Sequence, residues 1–273
     1  MESGPRVNGM APLLDLTNVT RRFGGVTAVS GVSLSVWPGR IQAVIGPNGA
    51  GKTTLFNLIS GILPVSEGII HFAGRLVNGC KPHVISALGV SRTFQTAAIF
   101  HNMTILENVM AGRHAKSSCG FLRTAFQTPA ARREEKQIRE QAREWLAFTG
   151  VDHGFNSLPG DLPFVIHRKT EIARALAAEP HLLLLDEPAA GLNIRETEEM
   201  GGLIRKIQGT GVTVMIIEHD MSLVMDISDE VCVLNFGEKI AEGTPRDVQK
   251  NEDVIAAYLG KESQPRAANH EPG

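Results

Sequence analysis

The stretch from residue 41 to residue 60 constrains the fold more than any other. A short apolar run, Ile41-Gln42-Ala43-Val44-Ile45, leads directly into Gly46-Pro47-Asn48-Gly49-Ala50-Gly51-Lys52-Thr53-Thr54, and residues 52–60 then have the spacing of a helix. The pattern G-x-x-x-x-G-K-[ST] is met at every fixed position. Strand, glycine loop and helix in that order aim backbone N–H groups and the positive end of a helix at one point. The glycines let those N–H groups approach phosphate oxygens without Cβ clashes. Lys52 adds a mobile positive charge suited to β- and γ-phosphates, and Thr53 adds a hydroxyl suited to Mg²⁺. Residues 46–54 are therefore the candidate cradle for a nucleoside triphosphate. A chance glycine turn would not need a strand before it and a helix after it.

The pattern elsewhere predicts an α/β core. Residues 13–23 and 32–36 alternate apolar and polar side chains, as half-buried strands do, and 68–72 is another short strand. The apolar runs at 182–185 and 212–217 suit buried parallel strands, with a helix at 196–207 between them. Residues 231–234 and 239–242 form a closing pair of strands, and 247–259 reads as helical. No strand is expected between 103 and 179. Helices are expected at 132–148, with Ile138, Trp145 and Leu146 on its apolar side, and at 170–178. Residues from about 95 to 179 thus form a helical lobe inserted into the core. One domain over 13–260 is expected, with flexible tails at 1–12 and 261–273.

Composition removes several classes of function. With 42% hydrophobic and 21% charged residues in 273, a large core is expected and disorder is not. A net charge of −2 gives no general pull towards nucleic acid. Cys80, Cys119 and Cys232 are scattered without a CxxC pair, which argues against a disulfide framework or a zinc site and fits a reducing compartment. Residues 1–11 lack the apolar core of a signal peptide. No apolar run approaches the roughly 20 residues that span a bilayer. Any service to a membrane would run through a partner, from the cytoplasmic side.

The second chemical segment is Leu182-Leu183-Leu184-Leu185-Asp186-Glu187. A buried strand here ends in two carboxylates at its C-terminal edge, where ligands of parallel sheets sit. Alone, two acids could equally be a solvated strand end. Paired with the loop at 46–54, Asp186 is expected to hold Mg²⁺ through water, and Glu187 to accept a proton from an attacking water.

With both segments in place, the sequence resembles an ABC-transporter nucleotide-binding subunit from about residue 13 to residue 260. The resemblance implies a P-loop NTPase core with an antiparallel β subdomain and the inserted helical lobe. It implies ATP and Mg²⁺ as ligands and ATP hydrolysis as the activity. Gln95 stands where the family's glutamine senses the γ-phosphate, the metal and the membrane partner. His219, within Ile216-Ile217-Glu218-His219-Asp220, matches the switch histidine, which donates to the γ-phosphate and orients the water beside Glu187. Phe23 matches the aromatic that stacks on adenine, where many members carry Tyr.

The segments Arg92-Thr93-Phe94-Gln95, Pro188-Ala189-Ala190-Gly191-Leu192-Asn193, Ile217-Glu218-His219-Asp220-Met221 and Ala257-Tyr258-Leu259-Gly260 are similar to those of branched-chain amino-acid importers. That resemblance implies a second, different ATPase chain, transmembrane permease subunits and, indirectly, a periplasmic binding protein. It implies a peripheral position on the cytoplasmic face of the inner (plasma) membrane. A DNA-repair-type ABC ATPase would need long coiled-coil arms, and the insertion is too short for them, so no nucleic-acid partner is expected.

One segment departs from the family. Its signature loop, Leu-Ser-x-Gly-Gln or close to it, should precede Arg168, but the sequence there is Leu162-Pro163-Phe164-Val165-Ile166-His167. Pro163 removes a hydroxyl and an N–H, Val165 replaces the glycine and Ile166 the glutamine. In the family this loop closes the opposite subunit's site. The expected consequence is a heterodimer with turnover impaired at one site. The alternative is a regulatory or structural nucleotide-gated subunit with impaired hydrolysis, against which Glu187 and His219 stand intact.

Overall fold

The computed structural model describes residues 11–93, 99–114 and 129–259. Gln95 and Cys119 lie outside these residues, as do the expected tails apart from Ala11 and Pro12. The chain opens with β1 (Leu14–Phe23), β2 (Val26–Val36) and β3 (Ile41–Ile45), followed by α1 (Lys52–Ile59). Next come β4 (Glu67–Phe72), β5 (Arg75–Leu76), α2 (Pro82–Ala87) and β6 (Val90–Arg92). The α-helices described next are α3 (Ile105–His114), α4 (Pro129–Phe148) and α5 (Phe164–Ala177). The α/β alternation then resumes with β7 (Leu182–Asp186), α6 (Ile194–Gln208), β8 (Thr213–Ile217) and α7 (Met221–Ile227). The last elements are β9 (Glu230–Asn235), β10 (Glu238–Gly243), α8 (Pro245–Gln249) and α9 (Glu252–Leu259).

Two sheets result. An antiparallel sheet has the order β2-β1-β4-β5, and a six-stranded sheet has the order β10-β9-β3-β8-β7-β6. In the second sheet β3 pairs in parallel with both β8 and β9, and β7 pairs in parallel with β6 and β8. Side chains alternate across this sheet with period two. Val44, Leu182, Leu184, Met215, Ile217, Cys232 and Leu234 pack with α1 and the antiparallel sheet. Their neighbours Ala43, Ile45, Leu183, Leu185, Ile216 and Val233 pack on α5, α6 and α7. β3, β7 and β8 are buried along their whole length, which is why they read as unbroken apolar runs.

A third, smaller cluster joins α3, α4 and α5 through Leu106, Val109, Ile138, Leu146 and Ala173. α5 serves two clusters at once, because Ile172 and Leu176 face the sheet while Ala173 and Ala177 face α3 and α4.

The structure corrects several expected boundaries. β2 begins at Val26 rather than 32, α5 begins at Phe164 rather than 170, and the single helix expected at 247–259 is two. Thr244 and Asp247 form a capping box that starts α8. Asn251 then restarts the chain as α9 by accepting the N–H groups of Asp253 at 2.9 Å and Val254 at 3.2 Å.

Candidate functional site

β3 ends at Ile45, and the next residue must turn at once. Gly46 has φ 147°, and a Cβ there would lie 2.0 Å from the Leu234 carbonyl oxygen on β9. Gly51, which caps α1, has φ 100°, and a Cβ on it would lie 2.4 Å from the Ala28 carbonyl. Both positions therefore require glycine. The loop is braced from outside by the Gly237 N–H, which donates to the Ala50 carbonyl at 3.0 Å. Lys52 is buried, and its ammonium donates to the carbonyls of Gly46 at 2.7 Å and Pro47 at 3.1 Å. Its charge is thus held over the loop, close to where a phosphate would sit.

A cavity of about 260 Å³ lies against this loop and is lined by Ala28, residues 48–54 and Glu187. Asn48, Gly49, Ala50, Gly51, Lys52, Thr53 and Thr54 are thereby brought together with the strand-end carboxylate. Gly46 and Pro47 shape the loop from behind. Phe23 does not line the cavity. It ends β1, 43% exposed, with the Arg21 guanidinium 4.6 Å from its ring centre.

β7 delivers the acids. Asp186 is its last residue, 2% exposed, and Glu187 leaves the strand in left-handed conformation at φ 49°. A side chain other than glycine rarely adopts that conformation, and such strain concentrates at functional sites. The turn is held by the Glu187 N–H, which donates to the Ile217 carbonyl at 2.9 Å. It lifts the Glu187 side chain from the buried strand to the cavity, where a carboxylate can accept a proton.

Asp186 is bound on one side only. Its Oδ2 accepts from Arg92 at 2.9 Å, while Oδ1 is buried without a hydrogen-bond partner among the described residues. Burial pushes its pKa up, and the Arg92 hydrogen bond and charge pull it back in part. A buried, unsatisfied carboxylate oxygen, one residue before the Glu187 that shares the loop cavity with Thr53, fits a hydrated divalent cation. Among the described residues, no group of three or more His, Cys, Asp or Glu side chains could hold a metal by itself.

β8 supplies the third edge. His219 follows it, and its Nδ1 lies 4.0 Å from Glu187 Oε2. The intervening Glu218 is 1% exposed and accepts the N–H groups of Ala189 at 2.8 Å and His219 at 3.1 Å. Burial raises its pKa against those hydrogen bonds. Glu218 thereby fastens the segment after Glu187 to the segment bearing His219. This link was not foreseen from sequence.

At the departing segment, Pro163 is the N-cap of α5, a position where a helix needs no N–H. The segment is a defined helix start. The Phe164 ring lies under Gly191, Arg168 sits 5.1 Å from that ring, and His167 Nε2 lies 2.6 Å from the Pro159 carbonyl.

Loop, strand-end acids and histidine at one edge of a parallel sheet define a P-loop nucleoside triphosphatase. The model of the ABC transporter family matches residues 29–190, and that of the branched-chain amino acid ATP-binding cassette transporter matches 238–263. The chain is 44% identical to the high-affinity branched-chain amino acid transport ATP-binding protein BraF of Pseudomonas aeruginosa, over 92% of this chain and 98% of that one. It is 40% identical to LivG of Escherichia coli K12, of the same description and with the same coverage. An ATP-binding cassette of an ABC transporter in its ADP conformation superposes with TM-score 0.80 at 31% identity, covering 92% of this chain and 100% of that one. A nucleotide-free cassette gives 0.80 at 30% identity, covering 90% and 98%.

The chain belongs to the ABC transporter family as an ATP-binding, ATP-hydrolysing subunit. The expectation of impaired turnover, and the regulatory or structural alternative, find no support in these relatives. Among the described residues no helix is long and apolar enough to cross a membrane.

Proposed function

We propose that the chain powers an importer of branched-chain amino acids or similar small polar solutes, as a peripheral subunit on the cytoplasmic face of the inner (plasma) membrane. The observation that carries this reading is the full-length similarity to BraF and LivG, joined to the family match at 238–263. The partners in this reading are a second ATPase chain, transmembrane permease subunits and, indirectly, a periplasmic binding protein. In this reading the ATPase domain spans 13–260, with the helical lobe at about 95–179 inserted.

In this reading residues 46–54 wrap the triphosphate and Phe23 stacks on adenine. Thr53, Gln95 and Asp186 hold Mg²⁺, which supplies charge neutralisation at the β- and γ-phosphates. Glu187 accepts the proton of the attacking water, and His219 donates to the γ-phosphate. The short reach from His219 to Glu187 supports a shared task. A further support is a cavity of about 490 Å³ between the sheet edge and the lobe, walled by Ile62, Ile85, Val90, Phe100 and Ala175. Its mainly apolar lining, with Arg92 and Arg174 also in the wall, suits a short helix of a membrane partner.

The test is cross-linking from Phe100 and Met103, both exposed, in the membrane-assembled complex. Cross-links to a permease subunit are expected. Cross-links only to soluble proteins would overturn the importer reading.

A further inference from the structure

Arg92 closes β6, and the pairing of that strand with β7 sets it beside the strand-end acids. Its side chain and that of Asp186 are 6% and 2% exposed. One arm of the guanidinium donates to Asp186 Oδ2 at 2.9 Å. The other donates to Asn57 Oδ1 at 2.7 Å and to Ser60 Oγ at 3.1 Å, in the last turn of α1 and at its C-cap. The Phe56 ring lies beneath, 5.7 Å from the guanidinium carbon. A planar fork tethered at both arms cannot follow the carboxylate if it turns, so it fixes the plane of the carboxylate. One oxygen is taken, and the other, Oδ1, is left without a hydrogen-bond partner among the described residues. A buried ion pair adds little net stability over apolar packing, so stability alone does not account for this arrangement.

We infer that Arg92 is a positioning residue that orients Asp186 for Mg²⁺ and so sets how much metal the chain needs to hold a nucleotide. The inference rests on the reading of Asp186 as a metal carboxylate. Arg92 does not touch the nucleotide in this scheme. It acts through Asp186, and α1, which grows out of the phosphate loop, anchors it. Loop and metal carboxylate are thereby held in one frame.

The experiment uses the purified chain and a fluorescent ATP analogue. Binding is measured in EDTA and then titrated with Mg²⁺. Substitution of groups that orient a metal ligand commonly costs 10–100-fold in metal affinity. Arg92→Gln is expected to raise the Mg²⁺ concentration at half-saturation about tenfold, with binding in EDTA changed less than about twofold. Arg92→Lys keeps the charge but loses the fork, and should fall between parent and Arg92→Gln. Asn57→Ala removes one anchor and no charge while the Arg92–Asp186 contact is kept, and should shift the midpoint in the same direction by about threefold, less than that range. Circular dichroism melts monitor folding, and Asn57→Ala decides the matter if Arg92→Gln does not fold. A shifted midpoint for Asp186→Asn with unshifted midpoints for the Arg92 and Asn57 variants overturns the positioning role alone. An unshifted midpoint for Asp186→Asn overturns the metal reading and the inference with it. An equal loss of binding in EDTA and in Mg²⁺ reduces Arg92 to a structural residue.

Discussion

At the carboxyl ends of β3, β7 and β8, charged groups sit on or after the ends of strands that are buried throughout. Lys52, Asp186 and Glu218 are all buried, and each is fixed by a backbone or guanidinium partner. Helix α4 is built the other way. Among its described residues only Ile138, Ala142 and Leu146 are buried in its cluster, while pairs such as Lys136–Glu140 and Glu135–Arg139 stand in solvent at 3.8 and 3.7 Å. At the sheet edge, packing on both faces determines where a polar atom goes, so position carries chemistry. On α4 the apolar stripe suffices to dock the helix, and the outer face keeps its freedom. Substitutions should therefore have steeply unequal effects in the two regions.

The largest expected effect is at Glu187. Glu187→Gln preserves shape and the left-handed turn but removes the base, so turnover in the assembled complex should fall by at least ~100-fold with ATP binding kept. Phosphate release measured beside nucleotide binding checks this. A parental rate would remove Glu187 from its role and leave the edge no more sensitive than α4. Next comes Lys52→Ala, which removes the charge held over the phosphate loop. Nucleotide affinity should weaken at least tenfold, about 1.4 kcal/mol. Unchanged affinity in a direct binding assay would show that the loop amides suffice without the lysine.

The same contrast explains what the sequence disclosed. β3 was legible to the residue because a strand buried on both faces leaves an unbroken apolar run, and the glycine pattern then names the turn. β2 was read six residues short because its first part, from Val26, is exposed and the alternation breaks at Gly31, which has φ 60°. The start of α5 was hidden by Pro163, read as a lost donor although it serves as the helix N-cap. Arg92 appeared only as part of a motif. Its partner lies 94 positions away, and β6 is three residues long, too short to show a period. The left-handed backbone of Glu187 has no signal in residue type, since Glu is not a residue that favours it.

The smallest expected effect sharpens the comparison from the α4 side. Glu140 lies one turn after Lys136 on the solvent face, with side chains 57% and 76% exposed. Water screens such a pair, and holding two long side chains in one geometry costs rotamer freedom, so exposed i,i+4 pairs contribute roughly 0.3–0.5 kcal/mol. Glutamate precedes lysine in the better order, and here the order is reversed, which places the pair at the low end. Glu140→Ala also gains helix propensity of about 0.3 kcal/mol, which offsets the loss. The net change in unfolding free energy should stay within about 0.5 kcal/mol, read from the urea midpoint at constant slope. Turnover in the assembled complex should not move. A loss above ~1 kcal/mol in the isolated chain would mean that this face of α4 packs against something in the folded subunit. A loss of turnover confined to the complex would instead place a partner on it, and the lobe's outer surface would then be as constrained as the sheet edge.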